Sequence, residues 1–343
     1  MTPDIAFLVY APLKQRRKNN SFDGNTNIGA YVVKDILERA GHMVGWCTPE
    51  TADRYRLVLV SFTSTFDVYS FYRQVALRPA WQQKSRTFRV LGGGFGMQNP
   101  TTIRHFLDVA AFGRVEEYLA PLVEAMLERR VYAHPSVMHL PDITPVQVAQ
   151  AETLYPHRLR VGTMDFQEEF TGCPLKCKFC HYTFARKHQV APGQDEHAYV
   201  QTTLNKAGGE VTWDQVMTAP VKMQGTVSSA WDGTSERLRM IYGKRISNQD
   251  ILNGINHAGS FDTGKATVLN VYNIGNFPGE TVQDWNELTI LLSQARPKNS
   301  VTLMLRTTPF QPSLATPMQW EPIMLFPSMR KDEATIAKTA TFH

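Results

Sequence analysis

Four short, continuous apolar runs punctuate the first 113 residues: IAFLVYAP (Ile5–Pro12), YRLVLVSF (Tyr55–Phe62), TFRVLGGG (Thr87–Gly94) and DVAAFG (Asp108–Gly113). Each has strand length, and none alternates apolar with polar residues as a strand with one wet face would. Strands apolar on both sides must be covered on both sides, which calls for helices above and below a mostly parallel sheet. Helical spacing occurs where this demands it. Ile28, Val32, Val33, Ile36, Leu37 and Ala40 recur on one stripe, and Gly41 stands where a helix C′ residue is expected. Similar patterns lie at Tyr69–Leu77 and Glu117–Arg129. We therefore expect a doubly wound (Rossmann- or flavodoxin-like) α/β domain over residues 1–130. Ligands of such sheets lie beyond the strand carboxyl ends, here a rim formed after Tyr10, Val60 and Leu91.

Composition sets the surroundings. The chain has 343 residues, enough for two domains. It carries 36 Lys+Arg against 31 Asp+Glu, a net charge of +5 that permits an anionic partner without requiring one. The basic run Lys14, Arg16, Arg17 and Lys18 reads as a solvated loop. The N-terminus has no basic region ahead of a long apolar run, so no signal peptide is expected. No run approaches the roughly 18 apolar residues of a membrane span. A cytoplasmic, reducing location is expected, where clustered cysteines bind metal more often than they pair. Residues 131–155, with three prolines and little periodicity, read as a linker.

Three of the four cysteines, Cys173, Cys177 and Cys180, fall within GCPLKCKFCHYTFARK, a C-x-x-x-C-x-x-C spacing; the fourth is Cys47. Three thiolates on one short loop can each hold one iron of a [4Fe–4S] cube and leave the fourth open, whereas ferredoxin runs supply four. A structural zinc site made with His181 is the alternative, but such sites pair two ligand clusters and no second one follows. The spacing, with Phe179 just before the last cysteine, strongly resembles the radical S-adenosylmethionine (radical SAM) superfamily. The resemblance implies that SAM chelates the open iron, and that reduction cleaves it to a 5′-deoxyadenosyl radical that takes hydrogen from a substrate. It also implies a reductant such as flavodoxin or ferredoxin.

Further stretches resemble the same family. In SAWDGTSERLRMIYGKRISNQDIL (Ser229–Leu252), Ser235 is placed to cap a helix, and Arg237 or Arg239 to meet the SAM carboxylate. VLNVYNIGNFPGETVQDW (Val268–Trp285) resembles the family turn near adenine, which implicates Ile274, Gly275, Asn276 and Phe277 beside Phe179. Gly208, Gly209 and Glu210 resemble the element that binds the SAM amine. RTTPFQPSLATPMQW (Arg306–Trp320) resembles the element that ends the barrel in cobalamin-associated members. From the expected strand Arg160–Glu168 to Trp320 is too short for an eight-fold barrel of about 250 residues. A partial (β/α)6 TIM-type barrel is therefore expected over residues 156–325, with a tail at 326–343.

The first domain resembles cobalamin-binding domains. SFT (Ser61–Thr63) is followed by GGG (Gly92–Gly94) at the family's spacing, which implicates Ser61, Thr63, Gly92, Gly93 and Gly94. The family's cobalt-ligating His is missing, since no His precedes His42; the first loop offers NTNIGAY, with Asn27 and Gly29. A cobalamin here would lack that lower ligand. Ordinary glycine turns with no cofactor remain the other reading.

With one cysteine outside the motif, a second cubane ligated by thiolates alone is excluded, which disfavours sulfur insertion and multi-cluster maturation. The expected function is hydrogen abstraction followed by rearrangement or another modification. Cobalamin-dependent methylation and non-catalytic iron–sulfur binding are the alternatives. The basic rims Lys14–Lys18 and Arg186–His188 lean toward an anionic substrate, such as a nucleotide or a base in nucleic acid.

Overall fold

The computed structural model describes residues 3–10, 28–63, 65–82, 86–97, 99–161, 164–168, 170–173, 175–192, 213–218, 226–260, 267–313, 316–322 and 340–342. The chain divides into two compact units, Met1–Gln167 and Glu168–His343. No helix among the described residues is long and apolar enough to cross a membrane.

The first unit runs β1 (Ile5–Leu8), α1 (Ile28–Arg39), β2 (Val44–Cys47), β3 (Leu57–Ser61), α2 (Thr65–Phe71), β4 (Arg89–Gly93), β5 (Val109–Ala111), α3 (Leu119–Leu127), β6 (Val137–His139), β7 (Leu159–Val161) and β8 (Met164–Phe166). Six strands form one sheet in the order β2-β1-β3-β4-β5-β6, parallel except for β6. Both faces are buried, as the apolar runs require. Ala6, Leu8, Val58, Val60 and Val90 pack with Phe71, Val75 and Trp81 on one side. Ile5, Phe7, Leu57, Leu59 and Leu91 pack with Leu37 of α1 and Leu122, Val123 and Met126 of α3 on the other. Residues alternating along each strand thus feed two separate cores.

The C-terminus of α1 follows its sequence signal. Gly41 has φ 92°, its N–H donates to the Glu38 carbonyl (3.1 Å), and the His42 N–H donates to the Leu37 carbonyl (2.9 Å). That is the double bond of a Schellman cap. Strand β2 has no counterpart among the apolar runs, because Val44 and Cys47 are its only fully buried residues.

Two expectations change here. The segment 131–155, read as a linker, supplies β6, which pairs antiparallel with β5 through Val109↔His139 and Ala111↔Val137. Arg160–Glu168, read as the first barrel strand, is instead the antiparallel pair β7–β8 within the first unit. The cause lies in α1, which carries more apolar surface than the sheet covers. Ile28, Tyr31, Val32 and Ile36 pack against Tyr155, Leu159 and Phe166, and the Tyr155 hydroxyl donates to Asp35.

The second unit runs β9 (Phe170–Thr171), α4 (His181–Ala185), β10 (Gln189–Val190), α5 (Trp213–Thr218), β11 (Thr226–Ala230), α6 (Glu236–Ile241), α7 (Asn248–Ala258), β12 (Thr267–Gly275), α8 (Val282–Ser293), β13 (Val301–Pro309) and β14 (Ala340–Phe342). Its main sheet is β11-β12-β13-β14, the first three parallel and β14 antiparallel. Val227, Leu269, Val271, Val301 and Leu303 face Trp213 and Val216 of α5, Ile251 and Ile255 of α7, and Leu288 and Leu291 of α8. Among the described residues this is a mixed α/β unit with three parallel strands, not the six strands of the expected barrel. Within the expected tail, Ala340–Phe342 is an edge strand.

Candidate active site

The cysteine loop is pinned at its base, its side and its end. At the base, β9 and β10 pair antiparallel through Thr171↔Gln189. Gly172 follows at φ 70°, where a Cβ would lie 2.6 Å from the Lys187 carbonyl oxygen, so only glycine lets the base close. At the side, the end of α6 docks on the loop. The Lys178 N–H donates to the Tyr242 carbonyl (2.9 Å), and Cys177 Sγ lies 3.7 Å from the Gly243 carbonyl oxygen. At the end, α4 begins after Cys180, and Thr183 Oγ1 donates to the Leu175 carbonyl (2.5 Å).

Cys177 is buried, whereas Cys173 and Cys180 are half-buried. Burial pushes the Cys177 thiol up to about 12, with Lys244 pulling it the other way. Burial also raises the Cys173 thiol, against an N–H of Leu175 and the hydroxyl of Thr183. Thiolates here require a cation, and iron would be one. Among the described residues no three His, Cys, Asp or Glu side chains converge on a single-ion position. Thiolates that each hold a different iron of a cube need no such convergence. Lys244 is itself buried and paired with Asp232 (Nζ–Oδ2 3.0 Å), a pair that the sequence reading missed.

Phe179 and the turn after β12 meet. Phe179, Tyr242, Phe277 and Phe310 form one buried cluster with Cys177, Leu238 and Met318. The Phe277 ring is fully buried, stacks on Tyr242 (centroids 4.4 Å) and tilts against Phe179 (5.3 Å). Phe277 thus anchors the turn, and Ile274 packs against the same cluster. Asn276 holds φ 58°, a conformation that Asn tolerates. Glu280 fastens the turn by accepting from the Phe277 N–H (2.8 Å) and Thr234 Oγ1 (2.9 Å), and burial raises its carboxyl.

Ser235 caps α6, accepting from the Leu238 N–H (3.3 Å), and its hydroxyl donates to Asp284 (2.5 Å). The two candidate arginines separate. Arg239 is fully buried, and its guanidinium donates to the carbonyls of Ile246 (2.8 Å) and Gly233 (2.9 Å) and to Asn248 Oδ1 (2.5 Å). Arg237 is half-exposed and donates to Asp284 Oδ2 (2.7 Å) and the Gly279 carbonyl (3.0 Å). Burial would raise the Asp284 carboxyl, but hydrogen bonds from Ser235, Arg237 and Thr281 outweigh it and hold it below the usual range. Asp284 and Glu280 were not singled out in the sequence, although Thr281 and Asp284 form a capping-box pattern. Gly208, Gly209 and Glu210 lie outside the described residues.

In the first unit, the strand order 2-1-3-4-5 is that of flavodoxin-like sheets, which bind ligands where β1 and β3 diverge. Ser61 and Gly93 sit opposite each other at that rim, and Thr63 is exposed with its N–H bonded to Asp67 (2.7 Å). The three glycines differ. A Cβ on Gly92 would meet Leu107 Cδ1 at 2.7 Å and Met97 Cε at 2.8 Å, so a larger residue there would have to displace core side chains. Gly94 has φ 100° and would press a Cβ to 2.6 Å from the Phe62 carbonyl oxygen. Neither constraint applies to Gly93, where the nearest atom to a Cβ is the Ala111 carbonyl oxygen at 3.4 Å. Gly29 opens α1 and is exposed, while Asn27 and Lys14–Lys18 lie outside the described residues.

No protein-family model and no curated protein matches the sequence. Solved structures do match. A radical S-adenosylmethionine methyltransferase, TsrM from Kitasatospora setae, with cobalamin and a [4Fe–4S] cluster bound, superposes with TM-score 0.62 at 14% identity, covering 93% of this chain and 78% of that one. The cobalamin-dependent S-adenosylmethionine radical enzyme OxsB superposes in its apo form with TM-score 0.57 at 8% identity, over 84% of this chain and 51% of that one. Its form with aqua-cobalamin and S-adenosylmethionine bound gives TM-score 0.54 at 10% identity, over 89% and 53%. The chain thus spans about half the length of OxsB. Its two α/β units have the fold of cobalamin-dependent radical SAM enzymes.

Proposed function

We propose that the chain is a radical SAM enzyme that modifies its substrate by hydrogen abstraction. One observation carries the reading: the cysteine loop and the turn after β12, 94 positions apart between Cys180 and Ile274, are welded into one buried aromatic cluster beside a capped helix start. When bound, a [4Fe–4S] cluster on Cys173, Cys177 and Cys180 supplies the electron that cleaves SAM to a 5′-deoxyadenosyl radical. The chain's own residues would do the rest. Phe179 and the backbone of Ile274–Asn276 hold the adenine. Ser235 and Arg237 face the SAM carboxylate, with Arg237 exchanging part of its bond to Asp284 for it. Arg239 holds the α6 start rigid and takes no part in ligand contact. The aromatic cluster excludes water from the buried side of the loop. A flavodoxin or ferredoxin would deliver the electron.

Anaerobic reconstitution tests this. About four irons per chain are expected, with dithionite-driven release of 5′-deoxyadenosine from SAM. Stoichiometric zinc without iron would overturn the reading. Iron without SAM cleavage would leave a non-catalytic iron–sulfur protein.

A second reading, cobalamin-dependent methylation, is favoured by Gly93, a rim glycine that neither packing nor backbone conformation requires. A methylated product formed only with added cobalamin would select it.

A further inference from the structure

Strand alternation divides the second unit's sheet into two unlike faces. One packs on α5, α7 and α8. The other carries Ser228, Asn270, Tyr272 and Arg306 among the apolar Ile274 and Met304. Tyr272 and Arg306 are register partners on β12 and β13, at the carboxyl ends of the parallel strands. Both are exposed, Tyr272 at 38%. Among the described residues, neither the Tyr272 hydroxyl nor the Arg306 guanidinium has a hydrogen-bond or ion-pair partner. An unpaired guanidinium beside a phenol ring is a surface for a planar anion, since the guanidinium fork matches an oxyanion and the ring offers a flat face.

A second observation points to the same place. Asn270 lies two residues before Tyr272 on the same face, 6% exposed. Its Nδ2 donates to Ser228 Oγ (3.1 Å), and its Oδ1 is enclosed without a partner. Whichever way round the amide is placed, one end lacks a partner, and a buried polar group left so costs roughly 1–3 kcal/mol. Two strand residues span about 6.6 Å. One small molecule can therefore reach from Arg306 to Asn270.

We infer that Tyr272, Arg306 and Asn270 form the substrate-binding wall, and that the substrate is a small anionic molecule with a flat ring. Its carboxylate or phosphate lies on Arg306, its ring against Tyr272, and a polar ring substituent on the free end of the Asn270 amide. This rests on the proposed function only in taking the strand carboxyl ends as the reacting end.

The test is ligand-observed NMR titration of the full chain, reconstituted with iron, using two matched probe pairs. One pair is hydroxyphenylacetate and its uncharged amide; the other is adenylate and adenosine. The anionic member of at least one pair should bind about 10-fold more tightly than its neutral partner, and the pair that does so identifies carboxylate or phosphate. Arg306→Gln should erase the preference and Arg306→Lys retain part of it, because the charge stays while the fork is lost. Tyr272→Ala should weaken both members alike. Arg296→Gln, a change at an arginine of the loop between α8 and β13, should leave the preference intact. No anion preference in the wild type, or a preference that survives Arg306→Gln in a chain with unchanged circular dichroism, overturns the inference. Iron content and SAM cleavage are read on the same preparation. Their loss with the preference retained defeats the proposed function alone, and their presence without the preference defeats the inference alone.

Discussion

Arg237 and Arg239 lie two positions apart in one helix and do opposite work. Arg239→Met would leave two buried carbonyls and the half-buried Asn248 Oδ1 without their donor, at a cost of roughly 3 kcal/mol. Its urea midpoint should fall sharply, while residual folded protein still binds SAM. Arg237→Gln removes a half-exposed pair worth at most about 1 kcal/mol, so its midpoint should barely move while SAM affinity drops about 10-fold or more. Equal stability losses in the two variants would contradict this division. Periodicity could identify both arginines as candidates for an anion, but not which one is buried. That depends on Ile246 and Asn248, which sit at the start of α7 and come within reach of Arg239 only through the tertiary fold. The glycines of GGG were equally legible as a group and illegible one by one. Gly94→Ala should destabilise by at least about 1–2 kcal/mol, through its positive φ and the Phe62 carbonyl. Gly93→Ala should be within about 0.5 kcal/mol of the wild type in thermal unfolding.

Helix α8 joins the sheet to the candidate site through its first turn, where Asp284 takes bonds from Thr281, Ser235 and Arg237. The folded carboxyl is held below its unfolded value. Its contribution is therefore present above about pH 4 and is lost as the pH falls through the folded value. Asp284→Asn should cost roughly 1–3 kcal/mol at pH 7, and the gap to the wild type should narrow toward pH 3.5 in urea titrations. A gap constant over that range would show that charge is not the cause. Glu280 has the opposite sign, since its folded carboxyl is raised. Its ionisation opposes folding as the pH rises, and Glu280→Gln should cost less at pH 8 than at pH 5. Elements with a strong local signal were legible, α1 with its Gly41 cap above all. Strands β7 and β8 were not. Three residues each, with Leu159 and Phe166 as their buried pair, they imitate one longer strand until the second apolar stripe of α1 is known to need cover.

At the scale of the whole chain, two α/β units in this order were legible because each repeats a motif with a physical reason: doubly covered strands in one, a tight cysteine loop in the other. The boundary between them was not, because 131–155 looks unstructured until β5 is seen to need an edge partner. The cofactor of the first unit separates the two proposed reactions. The sheet order places a ligand crevice at the ends of β1 and β3, and Gly93 leaves that rim open where a larger residue would close it. Hydroxocobalamin added to the full chain and then desalted should be retained at about one equivalent, its tail passing Ser61 and Gly93 as a nucleotide tail would on this sheet. Gly93→Val should abolish retention, because a branched side chain fills the open rim, yet leave the fold intact, because its nearest contact is 3.4 Å away. Gly93→Ala should retain part of the corrin absorbance. The iron content of the Cys173–Cys180 loop should be equal in all three proteins, which separates a lost corrin site from a general loss of structure. Retention unchanged in Gly93→Val would put the corrin elsewhere. No retention by the wild type, alongside intact SAM cleavage, would make the first unit a scaffold and leave hydrogen abstraction without cobalamin as the reaction.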